Sequence, residues 1–448
     1  MQLSTMPNST RAIKGFIILV FGLLIGCTNT AEQDLEKTAN HKPKNTILMI
    51  GDGMGFAYLK AYRLFKDNPD TPDIDLTLFD TILTGAVSTD PKHTPGTVTD
   101  SAAAATAYAT GFKTKNGAIG VDEKGQKLTT ALELASEHRR STGLVSTSYV
   151  NHATPAAFIA HVPSRRQYND IADAFFDNQF EGQPRVDVIL GGGSQFFLRD
   201  DRNLIEQFQQ AGYQHLENKS DLQAAKGNKL LGLFAAKGLP AAWDREDSTP
   251  SLADMTQVAL NTLNKNENGF FLMVEGSQID WGGHGNDILY ALSEMEDFEQ
   301  ALAKVLTFIE QNPDTLLILT ADHETGGLAI GGNTNNKWDA SLLRNIHTTP
   351  ETLANNIQAS NNALETFASI TSIDTSDAEA KQLLGALTDH DALVEVIKDI
   401  INRASFTGWT SDGHTGIDVP LMSTGAGSEK LKGLVDNTVI GKILVELN

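Results

Sequence analysis

The run Asn45-Thr46-Ile47-Leu48-Met49-Ile50-Gly51-Asp52-Gly53-Met54-Gly55 decides the fold of this chain. From Thr46 to Ile50 it is a short, almost continuous apolar segment without polar alternation, as in a strand covered on both faces of a parallel sheet. It stops on glycines around one carboxylate, so a turn presents Asp52 directly beyond the strand. The same ending recurs along the chain. Phe270 to Val274 runs into Glu275, with Asp280 and His284 just beyond, and Leu316 to Thr320 runs into Asp322-His323. His414 follows the turn-rich stretch Trp409-Thr410-Ser411-Asp412-Gly413. In an open α/β sheet, ligands bind in the crevice beyond the carboxyl ends of the strands. Acidic and histidine side chains gathered there point to one crevice that holds divalent cations.

Outward from that run, the spacing predicts further strands at Gly85–Ser88, Gly143–Ser146, Val186–Leu190, Phe271–Val274, Leu316–Leu319 and Val419–Ser423. Helices are predicted over Ser101–Thr110, Leu128–His138, Asp170–Asp177, Leu252–Leu263, Tyr290–Glu310 and Asp391–Ala404. Strands separated by helices imply βαβ units. The expected fold class is therefore α/β, with a mostly parallel central sheet and helices on both faces. Residues 331–405 are rich in Asn, Thr, Ser and Asp and lack strong strand signals until a final helix. They lie between Asp322-His323 and His414, and read as an insertion on the rim of the crevice. No repeat of 20–50 residues is visible, which argues against a solenoid.

At 448 residues, 40% hydrophobic and 20% charged, the composition is globular. A formal charge of −21 argues against nucleic-acid binding, which needs basic surface to neutralise phosphates. Arg11 and Lys14 precede an apolar run from Phe16 to Ile25, too short to span a membrane but suited to an export signal. The ending Leu24-Ile25-Gly26-Cys27 resembles a bacterial lipobox. Residues 1–26 are thus expected to be a lipoprotein-type signal peptide, 27–44 a polar tether and 45–448 the folded domain. Cys27 is the only cysteine, so no disulfide can form within the chain.

Thr97-Val98-Thr99-Asp100-Ser101 leads into Ala102-Ala103-Ala104-Ala105-Thr106-Ala107, a segment of high helix propensity. Asp100 or Ser101 can cap that helix. A serine there also lies among free N–H groups at the positive end of the dipole, which favours an alkoxide and binds phosphate. Beside a metal cluster, such a serine becomes a candidate nucleophile.

Together, Gly51-Asp52-Gly53-Met54-Gly55, Thr99-Asp100-Ser101-Ala102, Asp280-x3-His284, Asp322-His323 and His414-Thr415-Gly416 resemble the alkaline phosphatase family, in order and spacing. The resemblance runs from about Asn45 to about Leu447. It implies a phosphomonoesterase working through a phosphoserine on Ser101. It also implies one zinc on Asp280, His284 and His414, and a second on Asp52, Asp322 and His323, about 4 Å apart as in two-metal hydrolases. A magnesium ion is implied at Asp52, Thr154 and Glu275. Arg165, in His161-Val162-Pro163-Ser164-Arg165-Arg166, resembles the family's phosphate-binding arginine, and Asp100 adjoins the nucleophile. His152 stands where the best-known bacterial pattern has aspartate, and Trp281 where it has lysine. These two departures put metal affinity at the third site in doubt and predict looser retention of phosphate. His138, His161, His215, His347 and His390 match no functional position.

The expected substrates are small phosphate monoesters, and the expected location is the periplasm or cell surface, with membrane contact only through a lipid on Cys27. Family members are commonly homodimers. The rival readings are a phosphodiesterase or sulfatase of the same superfamily, or a non-catalytic lipoprotein that binds phosphate or metal. The serine favours monoesters over the first, and the unbroken ligand set argues against the last.

Overall fold

Ten strands form one central sheet. They are β1 (Asn45–Gly51), β2 (Leu83–Ser88), β3 (Ser141–Tyr149), β4 (Val188–Gly192), β5 (Gln214–Leu216), β6 (Leu230–Leu233), β7 (Phe270–Gly276), β8 (Thr315–Thr320), β9 (Val419–Gly425) and β10 (Gly433–Asp436). Their order across the sheet is β10-β2-β9-β8-β1-β7-β3-β4-β6-β5, with helices around it. Only β9 runs against the others; it pairs antiparallel with both β8 and β2. This is a computed structural model, and it describes residues 42–92, 96–332 and 336–448. The expected signal peptide, Cys27 and most of the 27–44 tether lie outside the described residues. Among the described residues, no helix is long and apolar enough to cross a membrane.

β1 lies near the middle of the sheet, and each of its seven residues is buried. It pairs in parallel with β8 on one side and β7 on the other, placing Ile50 beside both Thr320 and Glu275. β3 continues the parallel pairing and brings Ser146 beside Glu275. The carboxyl ends of β8, β1, β7 and β3 therefore share one edge. The residues that follow them must converge.

Every strand expected from the sequence is present. β5, β6 and β10 were not foreseen: they have only three or four residues, and β5 and β10 are the edges of the sheet. Rim residues 331–405 hold more helix than their composition suggested: Ala340–Leu343, Pro350–Ala359, Ala363–Thr371, Asp377–Ala386 and His390–Ser405. Four of the polar residues that blurred the pattern are N-caps. The side chains of Thr349, Asn362, Ser376 and Asp389 each accept a backbone N–H in the first turn of the helix that follows. The rim belongs to the same compact unit as the sheet, Pro43–Asn448.

The alanine-rich helix Ser101–Thr110 is buried at all ten positions. Small side chains on every face allow close approach, and the C-terminal helix Asn437–Leu447 uses it. A Cβ at Gly441 would lie only 2.1 Å from the carbonyl oxygen of Ala107.

Candidate active site

The turn after β1 places Asp52, and its geometry needs glycine. Gly53 has φ +76°, and a Cβ there would come 2.7 Å from the Cα of Asp280. The Gly53 N–H donates to Oδ1 of Asp322 (3.1 Å), tying the β1 and β8 turns together. Asp280 and His284 lie on a short helix, Ile279–His284. Gly282 and Gly283 make room within it. Added Cβ atoms would meet the backbone nitrogen of Ala291 at 2.7 Å and Oη of Tyr58 at 2.5 Å. His414 arrives differently. It precedes β9, and because β9 is antiparallel, its amino end lies at the carboxyl edge of its neighbours. A two-residue ladder, Glu324-Thr325 against Thr415-His414, fixes His414 beside His323.

Three groups of ligand atoms result, each with members within 4.8 Å of one another: Asp280, His284 and His414; Asp52, Asp322 and His323; and Asp52, His152 and Glu275. The first two are the ligand sets expected from the sequence. His414 stacks on His323 with ring centroids 3.5 Å apart, so these two groups are contiguous. In the third, His152 stands in reach beside the expected Asp52 and Glu275, while the expected Thr154 is fully buried.

The imidazoles are oriented from behind. Nδ1 of His284 faces the carbonyl of Asp412 at 2.6 Å, and Nδ1 of His414 faces the carbonyl of Thr99 at 2.9 Å. With Nδ1–H donating to these oxygens, each Nε2 keeps its lone pair for the crevice. Their Nε2 atoms come within 3.2 Å of one another. Burial, then the neighbouring His414, holds the pKa of His323 well below its usual value, so its ring is neutral.

Ser101 is 1% exposed and begins its helix. Its Oγ lies 3.2 Å from Nε2 of His323. Asp100 is the N-cap, as one reading of the sequence had it: Oδ1 accepts the Ala103 N–H (3.0 Å) and Oδ2 accepts the Gly117 N–H (2.9 Å). The same Oδ2 accepts Nη1 of Arg165 at 3.2 Å, and Nη2 of Arg165 reaches Nε2 of His152 at 3.1 Å. Arg165 is thereby braced on two sides beside the start of the Ser101 helix, whereas its neighbour Arg166 is exposed. Trp281 stands with its ring 6.4 Å from that of His152, edge to face.

A model of the alkaline phosphatase family matches residues 43–448. The chain belongs to the alkaline phosphatase family. It is 43% identical to alkaline phosphatase 4 of Bacillus subtilis (strain 168) over 448 residues, covering 99% of this chain and 97% of that protein. The crystal structure of the cold-active alkaline phosphatase of a psychrophilic Shewanella sp. superposes with a TM-score of 0.84 at 43% identity, covering 90% of this chain and 99% of that one. A histidine-to-glutamate mutant of the TAB5 alkaline phosphatase, with magnesium bound in its M3 site, superposes with a TM-score of 0.67 at 26% identity, over 91% of this chain and 98% of that one. As an alkaline phosphatase, the protein is a metal-dependent hydrolase of phosphate monoesters.

The side chains of the crevice fit bound cations. Asp52, Glu275 and Asp322 are each 0% exposed. Both carboxylate oxygens of Asp52 and Glu275, Oδ2 of Asp322 and Oγ1 of Thr154 lack a hydrogen-bond partner. A buried charge left so is costly unless paired with a cation. Burial, then the carboxylates of Asp322, Asp280 and Glu275, pushes the pKa of Asp52 far up. Glu275 is pushed up to about 8, chiefly by burial. Without a cation these groups would take up protons; with one they serve as anionic ligands.

Two supporting residues escaped the sequence reading. The Thr325 hydroxyl donates to Oδ1 of Asp280 at 2.5 Å and lies 3.2 Å from Nδ1 of His323, bridging two ligand groups. Glu324 accepts from the Thr415 hydroxyl and from the N–H groups of Gly327 and Leu328, locking the ladder that carries His414. Thr325 sits two positions after His323 in extended backbone, on the same side of the strand, and that periodicity was the available signal. Of the unassigned histidines, His161 pairs with Glu133, and His390 with Glu351 and Gln358.

Proposed function

We propose that Ser101 is the nucleophile of a two-step phosphoryl transfer. The carrying observation is its buried hydroxyl at a helix N-terminus, 3.2 Å from His323 and beside two contiguous groups of ligand side chains. In the first step, Ser101 Oγ loses its proton and bonds to phosphorus while the ester P–O bond breaks. The alcohol leaves with a proton, and a phosphoserine remains. In the second step, water attacks the same phosphorus, the Oγ–P bond breaks, and inorganic phosphate departs. The braced guanidinium of Arg165 presents paired N–H groups to the equatorial oxygens, a grip that lysine cannot reproduce. The free N–H groups at the start of the Ser101 helix add to it.

Zinc ions would be held by Asp280, His284 and His414 and by Asp52, Asp322 and His323, mixed carboxylate and imidazole sets that suit that metal. Magnesium would be held by Asp52, Glu275 and Thr154, an oxygen set, with His152 at its margin. When bound, such ions supply positive charge that polarises the phosphoryl group and lowers the pKa of hydroxyl groups and water. The protein would be exported and anchored through Cys27, and would act on small phosphate monoesters as a homodimer, which light scattering tests directly.

Ser101→Ala should keep the fold and metal content but trap no phosphate covalently from a labelled monoester. Label retained on the protein would assign the nucleophile elsewhere. Cys27→Ala should move the protein from the detergent phase to the aqueous phase without loss of turnover. Unchanged partitioning would refute the anchor.

A further inference from the structure

An in-line displacement places the leaving oxygen opposite the nucleophile. Ser101 lies against His323, so the organic part of the ester must leave on the far side, over Asp280, His284 and His414. The helix that carries Asp280 and His284 also carries Trp281 and ends at Gly285. Both of these residues line a cavity of about 470 Å³. Its other walls are Leu239, Tyr290, and Thr352 and Val394 from two rim helices, Pro350–Ala359 and His390–Ser405. We infer that this cavity receives the organic part of the monoester and selects planar, uncharged aromatic groups. The inference rests on the in-line reaction at Ser101 proposed above.

The volume is that of a small-molecule site. Trp281 belongs to both places: it lines the cavity, and its ring stands edge-to-face against that of His152, the residue that braces Arg165. Trp281 and Tyr290 offer aromatic surface for a planar ring, and Leu239 and Val394 offer aliphatic walls. The polar groups of the lining are already engaged. Lys398 donates to the carbonyl of Gly285 at 2.8 Å and pairs with Glu395. The Tyr290 hydroxyl donates to Gln278. Asp244 accepts from Thr348 and Thr349, and Glu351 meets His390. With Asp244 and Glu351 against one lysine, the lining carries more negative than positive charge, which disfavours a second anionic group on the substrate.

Val394 and Thr352 are half-buried, lie on the rim helices rather than on the turns that carry the proposed ligands, and can be enlarged from the rim. Val394→Trp and Thr352→Trp should each lower kcat/KM for naphthyl phosphate by about tenfold or more while leaving ethyl phosphate within about twofold, since the smaller group does not reach the cavity. Unchanged ethyl phosphate turnover also reports an intact fold and site. Equal effects on both substrates in the variants would overturn the inference. A wild-type measurement needs no variant: KM should rise about tenfold or more when the far ring of naphthyl phosphate carries a carboxylate, and equal KM values would overturn it as well. Failure of the parent reading looks different, because Ser101 would then trap no phosphate from either ester.

Discussion

Replacing Gly441 by alanine sets helix propensity against packing. Gly441 lies inside the C-terminal helix Asn437–Leu447, where alanine is worth about 1 kcal/mol more than glycine. Yet the added Cβ would stand 2.1 Å from the carbonyl oxygen of Ala107 and 2.5 Å from the nitrogen of Gly111, where ordinary contact begins near 3.4 Å. The clash is with backbone, which cannot rotate away. Relief requires the two helices to part by about 1 Å, and overpacking of this kind costs about 3 kcal/mol. Packing should therefore win, with a net loss of about 2 kcal/mol. The displaced helix begins at Ser101, and a shift of 1 Å at a reacting atom can cost about a hundredfold in rate. Gly385 provides the control. It lies in the helix Asp377–Ala386 with nothing within 4 Å of an added Cβ, so Gly385→Ala should gain up to about 1 kcal/mol and leave turnover unchanged. Thermal unfolding and kcat, measured for both variants with metals saturating, give the comparison. A Gly441→Ala protein as stable and as fast as wild type would refute the argument that the close approach of these helices positions Ser101.

Two further perturbations reach other parts of the structure. His152→Asp should tighten magnesium by about 10–100-fold and flatten its activation of the zinc-loaded enzyme, because a carboxylate replaces a neutral imidazole beside Asp52 and Glu275. Superimposable magnesium titrations of mutant and wild type would show that His152 does not act on that site. Glu133 bears on acid stability. Burial alone would raise its pKa, but hydrogen bonds from His161, Asn178 and Thr130 outweigh it and hold the carboxyl at about 2, against an ordinary 4.5. A depressed carboxylate stabilises the fold above its unfolded pKa and loses that contribution as pH falls through the folded one. Glu133→Gln should therefore cost up to about 3 kcal/mol at neutral pH, with the gap to wild type closing between about pH 4.5 and 2. A gap independent of pH in denaturant unfolding would contradict that origin.

The sheet type, the helix that starts at Ser101 and the acidic and histidine residues of the crevice were legible in the sequence, because each signal was local. The buried run Thr46 to Ile50 and the turn carrying Asp52 are contiguous in the chain, and so are Asp100 and the alanine segment it caps. Family resemblance ordered these pieces. It could not say which neighbour braces which group. That Nη2 of Arg165 reaches His152, that Thr325 bridges Asp280 and His323, and that Glu324 locks the ladder bearing His414 are contacts between residues far apart in sequence or on separate turns. The short edge strands β5 and β10 form because the sheet offers them partners, since three or four residues specify little alone. The same holds for the cavity behind Trp281. Its walls come from four separated segments, so its size and lining exist only once the sheet, the ligand helix and the rim have packed together.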